Sequence, residues 1–307
     1  MTKVFIDGSA GTTGLRIYGR LAERKDIELI KLEEEFRKDT SARKEALFSA
    51  DIAFLCLPDA AAIEAASLAE GSNTVIIDTS TAHRCDDGWA YGFPELTGQR
   101  EKIRESKKIA NPGCHASGFI SLVAPLTENG ILPEDTLLTC FSLTGYSGGG
   151  KKMIAEYEGD ERDELLDAPR MYGLTQSHKH LPEMSKYCSL KNLPVFCPVV
   201  APYYSGMEVT VPLFREMING TENDIKEIYK SYYGSGLIKY SDCDENGFAS
   251  AGSMSGRDDM TVSVFGNGNR ILLVSRFDNL GKGASGAAIQ NMNIVLNIDE
   301  KTGLQEK

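Results

Sequence analysis

The sequence predicts an α/β fold with two domains, and three observations lead to this prediction. A glycine-rich loop lies between a short strand and a helix within residues 3–22, and buried strands then alternate with helices. Further along, the strands at 261–265 and 270–277 flank Gly266–Asn269, a hairpin turn signal. The prediction is a Rossmann-type, doubly wound dinucleotide-binding domain plus an α+β catalytic domain with a mixed or antiparallel sheet.

The first domain begins with the apolar strand Lys3–Asp7 and a helix that starts near Leu15. The helical period predicts that Leu15, Tyr18, Leu21 and Ala22 share one face of that helix. Continuous apolar runs ended by turn signals are typical of strands buried on both faces of a parallel sheet. Such strands are predicted at 52–57 and 74–78, with a helix at 60–70 between them, and a further strand is predicted at 27–32.

The glycine-rich loop between the first strand and helix is the candidate site for a pyrophosphate. Glycines let the backbone approach the phosphates closely, and the helix start supplies N–H donors and the positive end of the dipole. The spacing is G-x-x-G-x-x-G, so a loop that only packs the helix on the sheet is the alternative. The candidate residues are Gly8, Ser9, Ala10, Gly11, Thr12, Thr13 and Gly14.

Ligands of such sheets bind beyond the carboxyl ends of the strands. We therefore expect the glycine loop, Pro58–Asp59 and Thr79–Thr81, with Ser80 as a cofactor contact, to converge on one crevice. At the end of the second strand, Arg37 and Lys38 favour the 2′-phosphate of NADP, whereas Glu33–Glu35 favour NAD. The residues alone leave the choice of cofactor open.

The second domain is predicted from strands at 137–143, 207–214, 261–265 and 270–277. A final helix at 285–296 is expected to return to the first domain. The predicted division is therefore 1–113 with 285–307 for dinucleotide binding, and 114–284 for catalysis, substrate binding and oligomerisation.

Cys114 follows Asn111-Pro112-Gly113 and precedes a long apolar run that reads as a buried helix. A thiol at a helix start meets unpaired N–H groups and the positive end of the dipole, which favour the thiolate. Cys114 is therefore the candidate nucleophile. The alternative is a buried structural cysteine.

Three further loops carry candidate site residues. The loop 144–152 offers N–H groups and cations to an anion, with Ser147, Gly148 and Lys151 as candidate substrate contacts. The alternative is a mobile surface loop. His178 and His180 precede a helix with Pro182 in its first turn, and only one of them could face a site if they were helical. The loop 279–286 offers a second nucleotide contact through Asn279, Lys282 and Gly283.

Arg84 follows a predicted strand end, where a guanidinium group could bind a carboxylate or phosphate in bidentate fashion. A surface ion pair is the alternative.

Composition excludes several classes of function. The net charge of −11 argues against a nucleic-acid surface, and no apolar run approaches the length of a membrane span, about 18 to 20 residues. The N-terminus does not resemble a signal peptide. Seven cysteines without a C-x-x-C pair argue against a disulfide framework or a zinc cluster, and for the reducing cytoplasm.

Taken together, these motifs resemble the short form of the N-acetyl-γ-glutamyl-phosphate reductases of arginine biosynthesis. Their order along the chain is that of the family, and three of them in combination are specific. The similar stretches are GSAGTTG (8–14), DTSTAHR (78–84), YGFPEL (91–96), NPGCHASG (111–118), GYSGGGKK (145–152), HKHLPE (178–183) and FDNLGKGASGAAIQNMN (277–293).

The resemblance implies the fold of the aspartate-semialdehyde dehydrogenases and NADPH-dependent reduction of N-acetyl-γ-glutamyl phosphate to the semialdehyde. It implies Cys114 as catalytic cysteine, His180, or in second place His178, as acid/base, and Arg84 as a ligand of the substrate anion. It also implies NADP held by Arg37 or Lys38, a small-molecule partner only, and a homodimer or homotetramer. The alternatives are reduction of another acyl phosphate, a cofactor-free cysteine hydrolase or acyltransferase, and a silent NADP-binding sensor.

Overall fold

The computed structural model describes residues 1–242 and 244–306, so that Cys243, one of the seven cysteines counted above, lies outside the described residues. The helices, in chain order, are α1 Thr12–Ala22, α2 Thr40–Ser49, α3 Asp59–Leu68, α4 Gln99–Glu105, α5 Cys114–Glu128, α6 Gly150–Glu158, α7 Leu181–Tyr187, α8 Glu222–Tyr232 and α9 Gly286–Val295. None of them is long and apolar enough to cross a membrane, within the described ranges.

The strands form two sheets. They are β1 Thr2–Asp7, β2 Ile27–Ile30, β3 Ile52–Leu55, β4 Val75–Asp78, β5 Ala90–Tyr91, β6 Lys108–Ala110, β7 Thr139–Gly145, β8 Arg170–Met171, β9 Val195–Ala201, β10 Met207–Phe214, β11 Ile238–Tyr240, β12 Met260–Gly266 and β13 Arg270–Phe277.

The chain divides into two compact units. Unit 1 is Met1–Pro112 with Ala284–Leu304, and unit 2 is Gly113–Gly283 with the last residues from Gln305. The functions that the sequence assigns to its two predicted domains stay predictions.

Unit 1 contains a parallel sheet with the strand order β2-β1-β3-β4-β6-β5. Val4 and Ile6 pack into a core on one face of the sheet, whereas Phe5 packs into a second core on the other face. Alternate residues of a strand point to opposite faces, so helices cover both sides. The predicted doubly wound sheet is confirmed, as is the helical final segment.

The predicted apolar face of α1 is buried only in part, since Leu21 is buried and Tyr18 packs against the core, whereas Leu15 and Ala22 are exposed. Gly14, Ile17 and Leu21 are the buried residues of this helix, whereas Leu15 is 53% exposed. Gly14 has to face the loop before the helix, since a Cβ there would lie 2.5 Å from the main-chain oxygen of Gly8. This close contact rotates the helix away from the face that its apolar residues suggest.

Unit 2 contains a mixed sheet with the order β11-β12-β13-β10-β7-β9-β8. β12 and β13 form the predicted antiparallel hairpin, and β7 pairs with β9 in parallel. α5 packs on β10 and β13 and also contacts α7 and α8. The buried α5 and the predicted mixed sheet are therefore confirmed.

Candidate active site

Cys114 is the first residue of α5, and Gly113 is its N-cap without a side-chain hydrogen bond. The thiol is half-buried, so it is sheltered but reachable. The first N–H groups of a helix have no partner within the helix, and together with the dipole they stabilise an anion. The 15-residue helix therefore presents its anion-stabilising end to the sulfur.

Three other thiols are in surroundings that suppress ionisation. Burial raises the pKa of Cys56 to about 12, and it also raises the pKa of Cys140 and of Cys188 well above the usual range of a thiol. A buried thiol in apolar surroundings is a poor nucleophile. These three cysteines are structural.

Unit 2 contains a cavity of about 170 Å³ beside Cys114. We call it the Cys114 cavity. Its lining combines three histidines, a tyrosine, a lysine and glycines of the 144–152 loop, so that proton donors, proton acceptors and main-chain groups face one space. The lining residues are Cys114, His115, Thr144, Gly145, Gly148, Gly149, Met153, Tyr172, His178, Lys179, His180 and Val200.

Both predicted acid/base candidates line this cavity. The rings of His178 and His180 are 4.7 Å apart between centroids. The segment before α7 is not helical, so the expectation that only one of the two could face the site does not apply. The main-chain N–H of His180 donates to Nδ1 of His178 at 3.2 Å, which leaves the proton of a neutral His178 on Nε2.

Glu183 lies in the HKHLPE motif but is not among the site residues predicted from the sequence. It lies in the first turn of α7 and is fully buried. Its Oε2 accepts a hydrogen bond from the N–H of Gly113 at 3.2 Å, and its Oε1 lies 4.0 Å from Nε2 of His180. One carboxylate therefore contacts both the start of the Cys114 helix and an imidazole of the cavity. The i,i+3 spacing of His180 and Glu183 was the signal available in the sequence.

His115, whose ring could not be placed from the sequence, also lines the cavity. Its Nδ1 lies 2.7 Å from Oγ of Ser142, and its Nε2 lies 2.6 Å from the hydroxyl of Tyr172. Burial, with a smaller contribution from His178, lowers the pKa of His115 to about 3. His115 is thus a neutral imidazole, and Tyr172 is a cavity residue without a sequence signal.

The 144–152 loop contributes to the cavity through Gly148, whereas Lys151 is exposed and lies outside the lining. Ser147 is buried, and its Oγ accepts a hydrogen bond from Nδ2 of Asn279 at 3.0 Å. Lys179, exposed and not selected from the sequence, brings a cation to the cavity instead.

The 279–283 segment contacts Cys114 through Gly283. Oδ1 of Asn279 accepts from the N–H of Gly206 at 3.0 Å, and Lys282 is buried. A Cβ on Gly283 would lie 2.9 Å from Cβ of Cys114. Gly283 is therefore a packing neighbour of Cys114.

In unit 1, the glycine loop has the backbone that a pyrophosphate site requires. Gly8 has a φ of +84°, and a Cβ there would lie 2.3 Å from the main-chain oxygen of Cys56. Oγ1 of Thr12, at the first position of α1, is buried without a hydrogen-bond partner. A buried hydroxyl beside unpaired N–H groups is chemically suited to a phosphate oxygen, so the residues present fit a dinucleotide.

The loops after β1, β3 and β4 come together, as expected, because these strands are neighbours in the sheet. Asp59 accepts hydrogen bonds from the N–H and the hydroxyl of Thr81. Ser80 is buried, and its hydroxyl donates to Asp78 at 2.8 Å. Ser80 thus already has a protein partner.

Arg84 is 7% exposed, so the surface ion pair considered above is wrong. Its Nε donates to the main-chain oxygen of Asn111 at 2.9 Å, and its Nη2 donates to that of Thr79 at 3.2 Å. The guanidinium group therefore joins the ends of two strands of unit 1.

Arg37 and Lys38 are exposed after β2 and lie beside the exposed Glu33–Glu35. A second arginine, which the sequence reasoning did not select, lies nearer the glycine loop. Nη2 of the buried Arg43 donates to Oδ2 of Asp7 at 2.9 Å. Burial raises the pKa of Asp7, and the arginine opposes this shift.

Comparison with known proteins identifies the family. Residues 3–106 match the family described as semialdehyde dehydrogenase, NAD binding domain, and residues 114–279 match semialdehyde dehydrogenase, dimerisation domain. The chain is 47% identical over 305 residues to N-acetyl-gamma-glutamyl-phosphate reductase of Brucella anthropi, covering 96% of this chain and 98% of the relative. It is 44% identical over 318 residues to N-acetyl-gamma-glutamyl-phosphate reductase 2 of a Nostoc species, covering 98% and 99%.

The chain belongs to the N-acetyl-gamma-glutamyl-phosphate reductase family. The resemblance drawn from the motifs is therefore confirmed.

Solved structures show how widely the fold of this family is shared. Aspartate semialdehyde dehydrogenase II of Vibrio cholerae aligns with a TM-score of 0.72 at 17% identity, covering 97% of this chain and 98% of that one. The enzyme of Candida albicans, solved with NADP, aligns with a TM-score of 0.69 at 14% identity, covering 97% and 99%. At these identities the likeness establishes the fold, and the predicted fold class is confirmed.

Proposed function

We propose that the chain catalyses the NADPH-dependent reduction of N-acetyl-γ-glutamyl phosphate to N-acetylglutamate semialdehyde, with release of phosphate. The observation that carries this proposal is a half-buried cysteine at a helix start that shares one cavity with the two candidate acid/base imidazoles, His178 and His180. Membership of the reductase family supports the substrate, and the glycine loop of unit 1 supports the cofactor.

The first step is acyl transfer to Cys114. An imidazole, His180 by preference, takes the thiol proton, and the sulfur attacks the acyl carbon. The bond between that carbon and the phosphate oxygen breaks, so a thioester on Cys114 and free phosphate result. The N–H groups at the start of α5 stabilise the oxyanion, and the cation of Lys179 attracts the phosphate.

NADPH, when bound, supplies the hydride that reduces the thioester. The imidazolium formed in the first step then stabilises the developing oxyanion. The carbon–sulfur bond breaks, the aldehyde leaves, and the proton returns from the imidazole to the sulfur. Glu183, 4.0 Å from Nε2 of His180, favours this imidazolium.

Unit 1 is the proposed site of the cofactor. Main-chain groups of Gly8–Gly14 and the hydroxyl of Thr12 hold the pyrophosphate, and Arg37 or Lys38 holds the 2′-phosphate. Replacing both cations by alanine should raise the KM for NADPH at least ten-fold and leave the KM for NADH unchanged. An equal change for both cofactors would assign the 2′-phosphate to another group.

The remaining predicted contacts are ranked by their surroundings. Gly148 lines the Cys114 cavity and is the preferred substrate contact of its loop. Ser147, Asn279, Ser80 and Arg84 have protein hydrogen bonds, so we assign them the shaping of their loops. Gly283 packs against Cys114, Lys282 is buried in the same segment, and Lys151 is an exposed cation outside the cavity lining.

The assay that tests the proposed function is the reverse reaction. The protein should oxidise N-acetylglutamate semialdehyde in the presence of phosphate and NADP, and much more slowly with NAD. Aspartate semialdehyde, the substrate of the closest rival reaction, should be a poor substrate. Faster turnover of aspartate semialdehyde would assign the enzyme to the rival acyl phosphate, and NADP-independent turnover would contradict both.

The proposed homo-oligomer is supported by the outer face of the unit 2 sheet. Phe141 pairs across the sheet with Thr210 and Cys197, and Leu272 pairs with Pro212. Phe141 and Leu272 are 38% and 43% exposed. An apolar sheet face is suited to a second copy of the chain, and the matched family is described as a dimerisation domain. The free thiols of the described cysteines support the proposed cytoplasmic location.

A further inference from the structure

His115 is next to the nucleophile in sequence, yet its side chain serves a different contact. Successive helical residues point about 100° apart, so the ring turns from the sulfur toward the sheet. It is 3% exposed and meets the ring of Phe196 at 5.2 Å between centroids. A histidine with this degree of burial has its orientation fixed by its neighbours.

Both ring nitrogens of His115 are engaged. A neutral imidazole has one donor and one acceptor, so one neighbour must donate to it and the other must accept. The phenol of Tyr172 is a stronger acid than the hydroxyl of Ser142. We therefore assign Tyr172 as the donor to Nε2, and Nδ1–H as the donor to Ser142, at distances of 2.6 and 2.7 Å.

Tyr172 depends on this contact for its place in the cavity. It follows the two-residue edge strand β8, and its N–H bonds to the main-chain oxygen of Pro198 at 3.0 Å. Its ring forms part of the cavity wall and lies 6.0 Å from the ring of His178. Burial and the nearby Cys114 raise the pKa of its hydroxyl, so it stays protonated and able to donate.

We propose that His115 is a positioning residue that holds the Tyr172 hydroxyl, and with it one wall of the Cys114 cavity, in place for the reaction. The imidazole connects β7, through Ser142, to the loop that carries Tyr172 and His178. It does not exchange protons with the substrate, because both nitrogens are occupied by protein groups. This inference rests on the proposed function for its kinetic readout only.

Two substitutions separate the two hydrogen bonds of His115. The amide of His115→Gln can replace Nε2 and keep the bond to Tyr172, whereas the shorter amide of His115→Asn can replace Nδ1 and keep only the bond to Ser142. We expect His115→Asn and Tyr172→Phe each to lower kcat/KM about ten-fold, the loss expected for one buried hydrogen bond. His115→Gln should stay within about three-fold of the wild type.

The double variant His115→Asn/Tyr172→Phe should be no worse than either single variant, because both remove the same bond. Additive losses, or equal losses for His115→Asn and His115→Gln, would overturn the proposal. These activity comparisons are made only with variants that show a thermal unfolding transition and are therefore folded.

A second measurement, the alkylation rate of Cys114, does not depend on the proposed reaction. The rate at which iodoacetamide alkylates Cys114, followed by peptide mass, reports how the cavity wall covers the sulfur. We expect alkylation to be at least three-fold faster in His115→Asn and Tyr172→Phe than in His115→Gln, as expected for loss of a fixed wall. Unchanged alkylation in all three variants would overturn the positioning role even if the substrate assignment were correct. If the wild type does not catalyse the proposed reaction but the alkylation rates of the variants differ as expected, only the proposed function is overturned.

Discussion

Gly283 leaves no room for a side chain beside Cys114. Its hypothetical Cβ would lie 2.9 Å from Cβ of Cys114 and 3.2 Å from the main-chain oxygen of Asp278. Contacts this short force one partner to move, and the partner here is Cys114, the candidate nucleophile. The identity of residue 283 therefore affects the position of the sulfur as well as the packing.

We predict that Gly283→Ala lowers kcat at least ten-fold and destabilises the fold by about 1–3 kcal/mol, the usual cost of overpacking. Gly19→Ala is the matched control, because a Cβ at Gly19 meets nothing within 4 Å. That variant should keep full activity. Steady-state kinetics and urea unfolding measure both quantities, and an active Gly283→Ala variant would show that the contact is unimportant for catalysis.

The buried His115 makes stability depend on pH. Its pKa is about 3 in the folded protein, compared with 6.5 for the unperturbed side chain. Between these values the unfolded chain binds one more proton than the folded chain, so acidification favours unfolding. This group alone should lower the free energy of unfolding by up to about 1.4 kcal/mol per pH unit within that window.

Urea unfolding at pH 7, 6, 5 and 4 tests this prediction. The wild type should lose stability more steeply than His115→Gln, which has no proton to bind at that position. Comparing the two proteins cancels the pH dependence that other groups contribute to the free energy of unfolding. Asp7 is such a group, because its raised pKa makes acidification favour the folded state. Identical slopes would mean that His115 titrates normally in the folded protein.

At the scale of elements, α7 distinguishes the two candidate acid/base histidines. Its first turn places Glu183 4.0 Å from Nε2 of His180. Nδ1 of His178, in contrast, already accepts a main-chain N–H. A carboxylate beside an imidazole stabilises its protonated form, so the geometry favours His180 over His178.

We predict that His180→Asn lowers kcat by about 10²–10⁴-fold, the usual contribution of a general acid/base, and that His178→Asn costs less. The rate of NADPH consumption with the acyl phosphate measures both variants. The reverse ranking would exchange the roles of the two histidines.

Local sequence predicted strands and helices well where the turn signals that flank them are strong. β10 and β13 have the predicted bounds, and the Asn-Pro-Gly sequence marks the start of α5. β9 was missed, since Pro198 removes a donor and argues against an internal strand. β8 and β5, with two residues each, carry too little pattern to be recognised.

At the scale of the whole molecule, the sequence revealed which loops matter but not what their side chains contact. Cys114, His178 and His180 could be selected because their residue types and flanking turns are distinctive. Tyr172 could not, because it joins the site only through a tertiary contact with His115. Glu183 offered only its i,i+3 spacing from His180 as a signal, and its contact with Gly113 is tertiary. Ser147 and Asn279, selected as separate ligand contacts, proved to be hydrogen-bonded to each other.

Assembly is the other property of the whole molecule that can be tested. We predict that Phe141→Glu, which places a charge on the exposed sheet face, shifts the oligomer to smaller species in sedimentation velocity. Leu165→Glu is the matched control, since Leu165 is 71% exposed outside the sheet. If both variants sediment like the wild type, the sheet face is not the interface.

The proposed reaction depends on a covalent acyl intermediate at Cys114. The most direct test mixes the protein with N-acetyl-γ-glutamyl phosphate in the absence of NADPH and measures released phosphate and peptide mass together. We expect a burst of about one phosphate per active site and an acyl group on the Cys114 peptide, both absent in Cys114→Ser. A Cys114→Ser variant that still turns over, or an acyl group on a different residue, would contradict it.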